Sequence, residues 1–98
     1  MAALTAAVSK HATLTGTTVD SVTLTQGFRS IEVINRDSTD YLWITYGASA
    51  PADPTSGGDD TLVVPPASAL TIDANNRANF VVKILGDGGA YSVQGVDG

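Results

Sequence analysis

Ninety-eight residues supply one domain, and a chain of this length buries roughly two-thirds of the surface that its unfolded form exposes. With 43% hydrophobic and 15% charged side chains it is too apolar and too weakly charged to remain disordered. A net charge of −5 with only five Lys and Arg argues against nucleic acid or anionic membrane as a partner, and the lack of Cys removes disulfides and thiolate metal sites.

In chain order, the Ala-rich opening places Leu4 and Val8 four residues apart among good helix formers. Residues 1–11 are therefore expected to be a short N-terminal arm or a marginal helix that orders against a partner. The opening lacks a basic leader, which predicts a protein made in the cytosol and not exported by the general secretory route. No apolar run approaches the ~18 residues of a membrane span.

Residues 12–98 read as a single β-sandwich domain. Ala12–Thr15 is a short β segment closed by Gly16, and in Val19–Thr25 the apolar Val22 and Leu24 share a face while Thr fills the other. Phe28–Asn35 carries Ile31 and Val33 on one face and Phe28 and Ile34 on the other, the mark of a central strand or of one with a face on the core and the other partly covered by a partner. Tyr41–Tyr46 alternates Leu42, Ile44 and Tyr46 against Tyr41, Trp43 and Thr45, and is expected to form a hairpin with the preceding run.

Gly47–Asp60 is a long surface loop rich in breakers, a length that marks functional segments. Thr61–Val64 is stopped by Pro65-Pro66, so it belongs at an edge. Ala69–Asp73 follows, Asn75-Asn76 turns the chain, and Asn79–Leu85 and Ala90–Gln94 close the pattern. The expected fold class is all-β, an antiparallel β-sandwich or jelly-roll-like barrel of about eight short strands.

Groups that do chemistry are scarce. The single His, His11, has Lys10 and Ala12 beside it, neither of which orients a base or serves as a nucleophile, and no Gly-x-Ser-x-Gly elbow occurs. Asp59-Asp60 and Asp87 lie among glycines as in tight turns and do not match a calcium loop. The reading is therefore no enzyme, no catalytic residue, no metal, no cofactor and no small-molecule substrate. Trp43, with Tyr46, offers an aromatic surface suited to a subunit or partner interface.

The runs Val22–Thr25, Ile31–Asp37 and Leu42–Gly47, followed by Gly57–Thr61, Val63–Pro66, Val81–Leu85 and Ala90–Gly95, resemble small virion proteins of tailed bacteriophages, especially those infecting actinobacteria. The resemblance implies a capsid decoration (cement) protein assembled in the host cytoplasm and held on the capsid surface. Its partners would be the major capsid protein and itself, as a homotrimer, with an N-terminal arm contacting the shell. The contact residues it suggests are Ala2, Leu4, Val8 and Lys10 of the arm, together with Trp43 and Tyr46. A head-fibre or tail-associated β module, or a carbohydrate-binding module, is the alternative.

Overall fold

A computed structural model describes residues 2–48 and 51–97. Nine strands are present: β1 (Ala2–Ala6), β2 (Ser9–Thr13), β3 (Val19–Leu24), β4 (Phe28–Asn35), β5 (Leu42–Gly47), β6 (Leu62–Val64), β7 (Ala69–Arg77), β8 (Phe80–Leu85) and β9 (Ala90–Asp97). They form a five-stranded sheet in the order β1-β3-β8-β5-β6 and a four-stranded sheet in the order β2-β9-β4-β7. The described residues contain no helix, and the all-β sandwich expected from the alternation is the observed class.

Period-two patterning builds the core directly, because alternate side chains of each strand turn to the same side. Val22, Leu24, Ile44, Val82 and Ile84 point inward from one sheet, and Ile31, Val33, Ile72, Tyr91 and Val93 meet them from the other. Each such side chain contributes about 1.5–3 kcal/mol on leaving water. One polar bond also crosses the core: the Tyr91 hydroxyl of β9 donates to Asp20 Oδ2 of β3 at 2.8 Å, and both residues are buried.

Every connection except β5 to β6 passes from one sheet to the other. The expected β4–β5 hairpin is thus not formed: β4 pairs with β7 and β9, and β5 pairs with β6 and β8. Asn35 explains the crossing, since its buried amide donates to the carbonyls of Asp40 (2.8 Å) and Val64 (3.1 Å) while its Oδ1 accepts from Asp37 N–H (3.0 Å). A side chain at the end of one sheet thereby holds the segment that enters the other.

The opening residues also differ from expectation. Ala2–Ala6 is neither helix nor free arm but a parallel edge strand on β3, and Ser9–Thr13 pairs antiparallel with β9. The 11/12 boundary falls inside β2, so the first residues belong to the same sandwich. With the chain turning at Ala7-Val8, Leu4 and Ala6 pack on the core, and the backbone hydrogen bonds of a sheet edge replace those of a marginal helix.

Phe28 joins Ile31 and Val33 in the core instead of facing away. The ladder slips between Phe28 and Ser30, where Asn75 and Asn76 of β7 take left-handed backbone angles (φ 52° and 56°) inside a strand that runs on to Arg77. The re-aimed ring lies against Gly95, where any Cβ would overlap it.

Candidate functional site

The outward face of the five-stranded sheet carries an apolar row. Register places Val19 opposite Leu85, Leu85 opposite Trp43, and Trp43 opposite Val63, so four neighbouring strands present Val, Leu, Trp and Val side by side. Tyr41, two residues before Trp43 and 53% exposed, stacks on it with ring centroids 6.4 Å apart and planes 23° apart. Behind this row, Ser21, Lys83 and Thr45 form a polar one.

Three local structures frame the aromatic pair. The Asn35-anchored segment ends at Tyr41, and within it the Asp37 carboxylate accepts N–H bonds from Asp40 (2.6 Å) and Thr39 (3.1 Å). These donors, that of Asp40 foremost, hold the Asp37 carboxyl below the usual carboxylate range. The Gly86–Gly89 turn, left-handed at Gly88 (φ 71°), is tied to Gly16 and Leu14 by backbone bonds of 3.0 and 2.9 Å and sets Asp87 near Thr17. The long loop folds back over β5 and β8 through a Lys83–Asp53 ion pair of 2.9 Å and a Thr45 hydroxyl bond to the Ala52 carbonyl.

Between these elements lies a cavity of about 310 Å³. Tyr41, Trp43 and Leu85 give it apolar lining, Asp40 and Asp87 line it as acids, and Thr17 and Ser56 add hydroxyls. A broader depression of about 700 Å³ lies between the loop and the β5–β6 corner, lined in part by Tyr46, Pro51 and Leu62.

The four-stranded sheet presents a different surface. His11 Nδ1 and Ser92 Oγ are 2.7 Å apart, Arg36 Nε donates to the same Oγ at 2.9 Å, and Gln94 donates to Glu32 at 2.8 Å. The His–Ser contact was invisible in sequence, since the two residues are 81 positions apart. It does not make a nucleophile: Ser92 is 2% exposed and its oxygen lies beneath the Arg36 guanidinium, leaving no approach for a substrate carbonyl. Among the described residues, no group of three or more His, Cys, Asp or Glu is placed to hold a metal ion.

The residues singled out from sequence do not converge. Ala2 and Leu4 face inward on β1, with Leu4 packed on the core, while Val8 is exposed at the turn into β2 and Lys10 is half-buried opposite Val93. Trp43 and Tyr46 lie on opposite faces of β5, Tyr46 turning toward Phe80 at a centroid distance of 5.9 Å. The partner of Trp43 is Tyr41, a pairing that the i, i+2 spacing already contained. Leu85, Val19 and Val63 become visible only through strand register.

No protein-family model matches the chain, and no curated protein matches it. Among solved structures, the chain is similar in fold to Aeromonas hydrophila PliG, a periplasmic lysozyme inhibitor of g-type lysozyme, with a TM-score of 0.54 at 9% identity over 95% of each chain.

Proposed function

We propose that the chain is a non-catalytic virion structural protein, a capsid decoration (cement) protein of a tailed bacteriophage. It docks on the major capsid protein through the outward face of its five-stranded sheet. The observation that carries this reading is the Val19–Leu85–Trp43–Val63 row with Tyr41 stacked upon it. A two-sheet sandwich that turns its only Trp away from its own core has an apolar surface suited to a partner. The homotrimer, the capsid-surface location and assembly in the host cytoplasm are carried by the sequence resemblance. PliG, an inhibitor acting on another protein, contributes the fold to this reading and not the partner.

The test is whether purified protein saturates empty phage shells stripped of it at a fixed stoichiometry. Full occupancy on tails with none on shells would move it to the tail. The aromatic wall of the 310 Å³ cavity favours a carbohydrate-binding module as the second reading, and a glycan array without a hit removes that one.

A further inference from the structure

We propose that the cavity beside Tyr41 and Trp43 is a socket for a cationic side chain, an arginine guanidinium foremost, presented by the protein on which this chain docks. The inference rests on the docking reading above and names the chemistry of its central contact.

Two independent features of the cavity select a cation. The rings of Tyr41 and Trp43, stacked on one another, line the cavity, and aromatic rings are surfaces on which a planar guanidinium stacks. Asp40 and Asp87 both line the same space; the Asp40 side chain is turned to the Asp37 carboxyl, and among the described residues no hydrogen bond or ion pair engages the Asp87 carboxylate. A cation seated there gains a charge contact with the acid beside the apolar wall, whereas a neutral saccharide gains none.

None of the chain's own bases fills the socket. Lys83 is held by Asp53, Arg36 reaches to Ser92 and the Tyr91 carbonyl, and Lys10, Arg29 and Arg77 lie on strands of the other sheet. The net charge of −5 draws a basic partner from a distance, and the aromatic pair then fixes its register.

Because Trp43 is the only Trp, its indole N–H gives a single reporter resonance in the intact labelled chain. It is titrated with N-acetyl-arginine amide, with the neutral isostere N-acetyl-citrulline amide and with N-acetylglucosamine. Arginine is expected to move the peak saturably with a roughly millimolar Kd, the strength of one exposed cation–π contact aided by charge. Citrulline should bind at least about five-fold more weakly, and D87N or the D40N/D87N pair should weaken arginine several-fold while leaving the remaining amide spectrum folded.

Equal binding of citrulline, a shift with N-acetylglucosamine alone, or no shift with any probe overturns the socket; the second result assigns a saccharide site instead. On shells, D40N/D87N should lose about ten-fold in affinity. Shell binding that survives this pair intact sinks the socket and leaves the docking reading standing. Wild-type protein that ignores shells sinks the docking reading, and the arginine titration then decides the socket by itself.

Discussion

The two sheets are built by the same alternation and pack on the same core, yet their outward faces are opposites. On the four-stranded sheet His11, Ser92 and Arg36, and Gln94 with Glu32, bond to one another, so the polar groups are satisfied within the chain. On the five-stranded sheet an apolar row spans four strands and ends beside a cavity lined by two acids. A face that satisfies itself has little left to offer, whereas one that leaves an apolar row and a carboxylate, that of Asp87, uncovered gains free energy when covered. The molecule is thus two-sided, and the account assigns docking to one side.

The largest expected effect is a pair of charge insertions that should break this symmetry of construction. Trp43→Asp should lower shell affinity at least about thirty-fold, the ~2 kcal/mol of an interface hot spot. Thr71→Lys, exposed on β7 and opposite Glu32, should leave affinity unchanged. Equilibrium binding with each variant reads both.

Next comes Asn35→Ala, which strips hydrogen bonds from the Asp40 and Val64 carbonyls and the Asp37 N–H. A loss of about 1–2 kcal/mol is expected in urea unfolding, with docking weakened too, because this segment delivers Tyr41 to the outer face.

The smallest effect concerns the core that both sheets share. Burial, then the hydrogen bond from its hydroxyl to Asp20, pushes the Tyr91 pKa well above its ordinary value of about 10. The folded chain therefore keeps a proton that the unfolded chain releases. The sign follows: this stabilisation is fully present below pH 10 and is lost as pH rises beyond it, at up to about 1.4 kcal/mol per pH unit. Tyr91→Phe should remove that slope, as followed by urea unfolding between pH 9 and 11.

The strands from β3 onward were legible because alternation is a local signal: Val22/Leu24, Phe80/Val82/Ile84 and Tyr91/Val93 face inward as their spacing required. Sheet membership was not, since a short polar loop serves a hairpin or a crossing equally well, and Asn35 decides between them through Val64, 29 residues away. Phe28 defeated the face assignment because a slip beside two left-handed Asn residues inverts the pattern. The first strand lacked any β-branched run, and only its neighbour β3 supplies the reason to extend. At the site, Trp43 was found from sequence, but Tyr46 was set beside it by proximity in the chain, and an odd spacing puts the two on opposite faces.

The central claim is that the Trp43 face is covered on docking, and the lone indole reports this directly through its emission and its quenching by acrylamide as stripped shells are added. The account predicts a blue shift and loss of quenching that saturate at the stoichiometry of binding. Protein that binds shells to saturation while Trp43 emission and quenching stay at their free values would contradict it.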